Sequence, residues 1–544
     1  MGLAMASGVL LSAAFPPIEA GGIAWVALIP LLLIPIPRVM WRRLVIGYAF
    51  GIAHFITSLW WLNEVGFGAG ILLAVVCAVF PMVWYLFFAA LANALPSLAR
   101  RAGNAVEIPR LLVQARPLEV AWAALLIAAG WCSTEWIRSW IFTGFSWNQL
   151  GISQWRHAAV LKLTTLTGVY GISFLIVFSN IALVWLLLSW LARFKGRRRR
   201  GIPWPPAVAV VMFSPIFMLL MLESPLPAPD RYLEVAGIQG NLSQRRDPDP
   251  GQFDEALEVY ERLSLEAAEE GGEGLDLIVW PETAIPAPLE WNERAAAMLA
   301  RVLEEVQTHM LVGSLAYRED SAGAAEMRMV NSALLLDPNA GVVDYYDKIH
   351  LVPFGEFVPF GKQMPWLVDM IGMGRGLLAG KEYTVLNLPK EARAGVNICY
   401  EDAYPEISRR FVQRGANLLF TLTNDAWYAE SAGSKQHLTH AVFRAVENRR
   451  PLFRSGNNSD TCLILPSGKI EGLLYDSENE TFFVRTHGLY SVPVWDELPT
   501  TLYTRFGDWF AKICALAFLG ASAVLAVRTI RRKHENFQAI ASQF

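Results

Sequence analysis

Residues 394–406 read AGVNICYEDAYPE, in which a short apolar run, Val396–Ile398, delivers Cys399 to its end and passes at once into acidic and aromatic residues. An apolar run of this length that stops at a reactive side chain is the pattern of a buried strand. The ends of such strands are where open α/β sheets present chemistry. Two other stretches share the layout. LDLIVWPET (275–283) is an apolar run that meets Pro281 and then Glu282, and YYDKIHLVPFGEFVPFG (345–361) carries Lys348 in a segment too rich in Pro and Gly for a helix. Working outward, Leu233–Gln239, Leu275–Trp280, Met310–Ala316, Ser332–Leu336, Ala394–Ile398 and Ala416–Leu422 are expected strands, rich in Val, Ile and Leu. Between the first two, Phe253, Ala256, Leu257, Tyr260 and Leu263 recur at helical spacing; Leu289–Gln307 and Lys435–Asn448 are expected helices. The alternation predicts a layered α/β or α+β domain around a sheet.

The rest of the chain is built for a different solvent. Of its 544 residues 54% are hydrophobic and only 17% charged, against about 25% in soluble proteins. Residues 1–222 hold five acids, Glu19, Glu64, Glu107, Glu119 and Glu135, against 16 Lys and Arg. A wholly soluble or disordered chain is excluded. Apolar segments at 2–15, 22–37, 44–62, 68–94, 118–141, 168–192, 204–222 and 507–527 are candidate membrane spans, near the ~20 residues a crossing needs. The absence of a positive cluster before the first argues against a cleaved signal peptide. Basic residues accumulate in four places: Arg38, Arg42 and Arg43; Arg100, Arg101, Arg110 and Arg116; Arg193, Lys195 and Arg197–Arg200; and Arg528, Arg531, Arg532 and Lys533. All four fall on one side if the N-terminus is cytoplasmic, because Lys and Arg are retained there. The expected organisation is a seven-helix bundle over 1–222, an outward-facing domain over 223–503, and a last span with a cytoplasmic tail over 504–544. The loop Thr134–Arg156, with Trp136, Trp140, Trp147 and Trp155, is expected to lie along the outer leaflet as an anchor or a platform for lipid.

Several chemistries lack their signatures. The sequence has no phosphate-binding glycine loop, no HExxH and no G-x-S-x-G. His437 and His440 are spaced as half a metal site, with no third ligand near in sequence. Five cysteines without regular spacing make no disulfide framework, although spacing alone leaves a Cys399–Cys462 bridge open. Taken singly, Glu282 reads as a helix-start carboxylate, Lys348 as a surface charge and Cys399 as a small core residue. Together they make a coherent set. A thiol needs its proton removed to attack, a carboxylate can take that proton, and an ammonium can stabilise the oxyanion formed on a carbonyl. The carboxylate also disfavours a resting thiolate, whereas the ammonium favours one.

WPET around Glu282, DKIHLVPFGEFVP around Lys348 and NICYED around Cys399 resemble the Glu–Lys–Cys signature of the nitrilase superfamily. FTGFSWNQLGISQ (142–154), GVYGISF (168–174), IQGNLSQ (238–244), TNDAWY (423–428) and RAVENRRPLFRSGNNS (444–459) are similar, within it, to the membrane-embedded apolipoprotein N-acyltransferase family. The resemblance implies a membrane α-helical bundle of about eight transmembrane helices plus an αββα nitrilase-like sandwich, set in the bacterial inner membrane with the catalytic domain on the periplasmic side. It implies a ping-pong transfer. Cys399 takes the sn-1 acyl chain of a phospholipid, typically phosphatidylethanolamine, as a thioester. The α-amine of the diacylglyceryl-cysteine at an apolipoprotein N-terminus then accepts it. Glu282 is the implied base, Lys348 the oxyanion stabiliser, Glu356 a supporting carboxylate, and Tyr400 and Glu401 follow the nucleophile as supporting or substrate-binding residues. No metal, cofactor or nucleic acid is implied, and the enzyme is expected as a monomer. One departure stands out: where the family often has a Trp after QGN, this chain has Arg245 and Arg246. The rival expectation is a membrane-anchored amidase or nitrilase acting on a small C–N substrate with the same three residues.

Overall fold

Every strand expected from the apolar runs is present in the computed structural model, which describes residues 1–94, 105–106, 117–194, 226–244, 250–320, 326–339, 341–372 and 374–541. The chain divides into two units, Met1–Glu223 with Asp508–Phe544, and Ser224–Gly507. Arg245, Arg246, the expected span 204–222, all four arginines of the cluster at 100–116, and Lys195 and Arg197–Arg200 fall outside the described residues.

The second unit is an αββα sandwich. Its strands are β1 Arg231–Gln239, β2 Leu277–Val279, β3 His309–Asp320, β4 Glu326–Asp337, β5 Gly341–Asp347, β6 Val385–Asn387, β7 Arg393–Ile398, β8 Leu418–Thr423, β9 Leu452–Gly456, β10 Cys462–Ile464, β11 Ile470–Glu471 and β12 Thr486–Val494. One six-stranded sheet has the order β12-β1-β2-β3-β4-β5 and the other β11-β10-β9-β8-β7-β6. Each sheet contains a parallel trio, β1-β2-β3 in one and β7-β8-β9 in the other, flanked by antiparallel strands. A parallel strand covered on both faces reads as continuous apolar sequence. LLFTLT in β8 does so, with all six residues buried.

Helices α1 Pro250–Gly271 and α2 Glu293–Val306 cover the first sheet, and α3 Pro405–Gln413 and α4 Ala432–Asn448 belong with the second. In α1 the predicted stripe of Ala256, Leu257, Tyr260 and Leu263 is buried against Ile278, Trp280 and Val302. The expected helix over 289–307 is split: a 3-10 turn at Leu289–Trp291 precedes α2, and Asn292 accepts the Ala295 amide as its cap. Between the sheets, Gly237 of β1 leaves room for the Phe453 ring of β9, which its absent Cβ would approach at 2.7 Å.

In the first unit four helices among the described residues are long and apolar enough to cross a membrane: Ala69–Ala94, Leu118–Arg138, Val169–Leu188 and Trp509–Arg531. The first two expected spans are shorter helical pieces, Gly2–Ser12 and Gly21–Leu32. The third is the 19-residue helix Met40–Ser58, which opens on Arg42 and Arg43. Small residues bring these helices close: Gly8 backs onto the Phe50 carbonyl, and a Cβ on Gly51 would lie 2.8 Å from Ala78 Cα. The aromatic stretch 134–156, expected along the outer leaflet as an anchor or a lipid platform, folds partly into the helical unit. Its first residues complete a helix, Trp147 and Trp155 are buried, and of its four tryptophans only Trp140 is exposed. The cause is polar. Arg138 donates to the carbonyls of Phe145 and Trp147 at 3.0 and 2.7 Å, and Glu135 accepts the Leu150 amide at 2.7 Å, drawing the loop inward.

Candidate active site

The C-terminal ends of strands from both sheets supply the site. Glu282 follows β2, Lys348 follows β5 and Cys399 follows β7. Glu282 and Lys348 are buried, with the Lys348 side chain 1% exposed. The ammonium is held by two carboxylates: Nζ donates to Glu282 Oε1 at 3.1 Å and to Glu356 Oε1 at 2.8 Å. Asn331, in the middle of β4, donates from Nδ2 to both carboxylates, at 2.8 and 3.1 Å. Each remaining carboxylate oxygen is also occupied. Glu282 Oε2 accepts the Asn424 amide at 3.0 Å, and Glu356 Oε2 accepts the Val352 amide at 2.7 Å. Both carboxylates are therefore fixed in orientation before any substrate arrives.

Glu282 is set in place by a missing side chain. A Cβ on Gly313 of β3 would run into the Pro281 carbonyl and lie 2.7 Å from Glu282 Cα. Gly380 does the same for the Lys348 segment by lying against the Asp347 carbonyl. These close approaches are open only to glycine.

Cys399 sits in the left-handed region, at φ 53°, a conformation that costs a non-glycine residue energy and persists only where its surroundings enforce it. Part of the enforcement comes from Glu401. Fully buried, it accepts the Ile398 amide at 2.8 Å on one oxygen and, on the other, the Ile349 and His350 amides and the Tyr346 hydroxyl at 2.8, 3.0 and 2.8 Å. One carboxylate thus ties the nucleophile turn to the Lys348 segment, so its place is structural rather than against substrate. Burial raises Glu401 to about 7, opposed by these hydrogen bonds and by Lys348. Tyr400 is buried beside the nucleophile, its ring 5.1 Å from Tyr404 and 6.1 Å from His350.

The electrostatics resolve the competition left open by the sequence. Burial, then Glu282, push the Cys399 thiol well above its usual range, and Lys348 only partly offsets them. Lys348 is held well above its own range: burial opposes its charge, but Glu282, Glu356 and Cys399 outweigh that cost. The resting site is a neutral thiol beside a carboxylate–ammonium pair. A neutral thiol must lose its proton to attack, and Glu282 is the carboxylate whose charge acts most strongly on this sulfur.

Sequence reading placed Glu282, Lys348, Cys399, Glu356, Tyr400 and Glu401 here, and the fold brings all six together. It missed Asn331 and Asn424, whose signal was a polar residue interrupting or ending an apolar strand. His437, entertained as half a metal site, has Asp425 Oδ1 2.7 Å from Nδ1 and Asp402 Oδ1 3.0 Å from Nε2. Among the described residues no group of three His, Cys, Asp or Glu is arranged to hold a metal ion, and all five cysteines are free and buried, with no Cys399–Cys462 bridge.

The family model for the apolipoprotein N-acyltransferase N-terminal domain matches residues 7–182, and that for carbon–nitrogen hydrolases matches residues 234–485. The apolipoprotein N-acyltransferase of Geobacter metallireducens is 33% identical, the match covering 98% of this chain and 96% of that protein. The chain belongs to the apolipoprotein N-acyltransferase family. The relative from Allorhizobium ampelinum is 32% identical, with 80% of this chain and 79% of its own length covered. Among solved structures, the amidase of Nesterenkonia AN1 from the nitrilase superfamily aligns with 53% of this chain and 98% of its own, at 17% identity and TM-score 0.37. Membership in the family makes this chain an N-acyltransferase whose catalytic unit has the carbon–nitrogen hydrolase fold.

Proposed function

We propose that this enzyme moves an acyl chain from the sn-1 position of a phospholipid, typically phosphatidylethanolamine, to the α-amine of the diacylglyceryl-cysteine that begins an apolipoprotein. The observation that carries this reading over small-amide hydrolysis is the reach of the similarity. It runs through the apolar helical unit as well as the hydrolase unit, over 98% of the chain. An enzyme working on two lipid-anchored substrates gains from being anchored among them, because the encounter becomes two-dimensional and oriented.

Cys399 Sγ attacks the ester carbonyl while Glu282 takes the thiol proton. Lys348 and the Tyr400 amide stabilise the oxyanion, as general groups for such charge do. Collapse breaks the ester C–O bond, the proton passes from Glu282 to the leaving alkoxide, and lysophospholipid departs from a Cys399 thioester. In the second half the amine attacks the thioester carbonyl as Glu282 accepts its proton; collapse breaks the C–S bond to give the amide, and Glu282 returns the proton to the departing Cys399 sulfur. Glu356 and Asn331 hold the pair in register. The chain is then an inner-membrane protein with its catalytic unit on the periplasmic side, and acyl chains reach the thiol from the bilayer, where water is scarce enough for a thioester to survive.

The test is mass spectrometry of the Cys399 peptide after incubation with phospholipids carrying different chains at sn-1 and sn-2. The expected product is a thioester of the sn-1 chain, discharged by a diacylglyceryl-cysteine peptide. Ammonia release from small amides, with no lipid-derived adduct, would overturn the proposal in favour of the amidase.

A further inference from the structure

Beneath the nucleophile turn lies a buried ionic cluster that the acyl-transfer chemistry does not use. His437 projects from α4 with no exposed surface. Its Nδ1 lies 2.7 Å from Asp425 Oδ1, and its Nε2 lies 3.0 Å from Asp402 Oδ1 and 3.2 Å from the carbonyl oxygen of Cys399. Acceptors on both ring nitrogens require a hydrogen on both, so the ring is an imidazolium. Arg454 of β9 closes the cluster, reaching Asp402 Oδ2 at 3.2 Å and Asp425 Oδ2 at 2.6 Å, and Thr423 donates to Asp425 at 2.8 Å. All four of these side chains are 0% exposed. Two anions and two cations cancel.

We propose that His437 is a positioning residue of the acyl transfer: its imidazolium, clamped between Asp402 and Asp425, holds the Cys399 carbonyl and so the left-handed turn that aims the thiol, and keeps the charge behind that thiol balanced. Three elements meet through this ring. Asp402 comes from the turn Cys399–Ala403, Asp425 from the turn after β8, and Arg454 from β9. The turn Cys399–Ala403 is thus tied to β8 and β9 by charge, as Glu401 ties it to the Lys348 segment. Removing the histidine's charge leaves a net negative cluster under a nucleophile that must itself become negative. Removing an aspartate's charge does the reverse.

The inference rests on Cys399 being the nucleophile, and it is read without any acyl donor by alkylating that thiol. The charges that act on the sulfur are those of Glu282, Lys348, Asp425 and Glu356, and the sulfur acts in turn on the Tyr428 phenol; those that act on the imidazole are Asp402, Asp425 and Arg454, with the Tyr428 ring 6.3 Å away, and the imidazole acts on Asp460, which pairs with Lys435. The full-length protein in detergent is treated with iodoacetamide across pH 7–10 (roughly the range where thiols ionise) and Cys399 alkylation is quantified by peptide mass. His437→Gln is expected to slow alkylation about ten-fold, the equivalent of one pH unit, and Asp402→Asn to speed it, with the double variant returning toward the parent. With phospholipid, His437→Gln is expected to lower kcat at unchanged KM. Equal-direction changes in the two single variants, or no change in either, would overturn the proposal, since generalised damage cannot move them oppositely. If His437→Gln does not fold, Asp402→Asn decides alone: it keeps the histidine, and slower alkylation sinks the idea. If alkylation behaves as expected while no lipid acylates Cys399, the acyl-transfer reading fails and this one stands.

Discussion

A lysine shared by two carboxylates and a thiol kept neutral beside them divide the labour at the residue scale. Glu282→Gln preserves the hydrogen bonds from Lys348 and Asn424 in outline but cannot take a proton, so Cys399 thioester formation should fall by about 10²–10⁴-fold. Single-turnover mass spectrometry measures it. Lys348→Met removes the charge that offsets both carboxylates, and a loss of comparable size is expected with weaker thermal stability, because two buried acids are left facing one another. His437 gives a pH dependence. Burial opposes its charge, but Asp402 and Asp425 raise it from the usual 6.5 to about 9. A group whose folded value is raised contributes stability that is complete below about pH 6.5 and lost as pH climbs through about 9. The thermal midpoint of the parent should therefore drop across that window more steeply than that of His437→Gln, as read by melting curves in buffered detergent. These buried partners were the least legible feature of the sequence. Arg454 and His437 sit fully buried in a strand and a helix that read as polar, since side-chain composition cannot reveal that each charge is cancelled by one distant in sequence.

At the scale of elements, the strand ends carried the message. Val396–Ile398 before Cys399 and Leu277–Val279 before Glu282 were legible because parallel strands buried on both faces are uniformly apolar. β9 was not, because LFRSG buries an arginine and a serine in its middle, and the flanking strands β5, β6, β10, β11 and β12 are short, half-exposed or antiparallel. Nor does sequence show that Gly313 is where β3 lies against the Pro281–Glu282 backbone. Gly313→Ala should push the Pro281–Glu282 backbone outward, lowering kcat by at least about ten-fold and stability by ~1–3 kcal/mol, the usual range for overpacking. Activity assays and denaturant melts on the same preparation separate the two. Gly341→Ala, with nothing within 4 Å, is the control and should change neither.

For the whole molecule, the proposed orientation has a direct check. Glu478 lies on an exposed loop of the catalytic unit and Glu535 on the exposed end of the last helix. The native cysteines are all buried. In intact spheroplasts an impermeant maleimide should label Glu478→Cys and spare Glu535→Cys until the membrane is opened; the opposite pattern would reverse the topology. The division into an apolar helical unit and a separate sheet unit has its counterpart in the sequence, where the first 222 residues hold only five acids. Among the described residues four helices are long and apolar enough to cross, and the expected seventh span lies outside them. Met40–Ser58 is a helix of spanning length that begins on charge, and short apolar helices such as Gly2–Ser12 pack through glycine contacts that hydropathy does not weigh.

The protonated state of Cys399 at rest bears on how long the enzyme lasts. Peroxides and adventitious electrophiles react with thiolates, so a sulfur that keeps its proton at rest is shielded from conversion to sulfenic and then irreversible sulfinic acid. In the proposed acyl transfer, the same burial and carboxylate that make it a reluctant anion would act as a chemical safety catch, released by substrate and closed again when the amide product leaves.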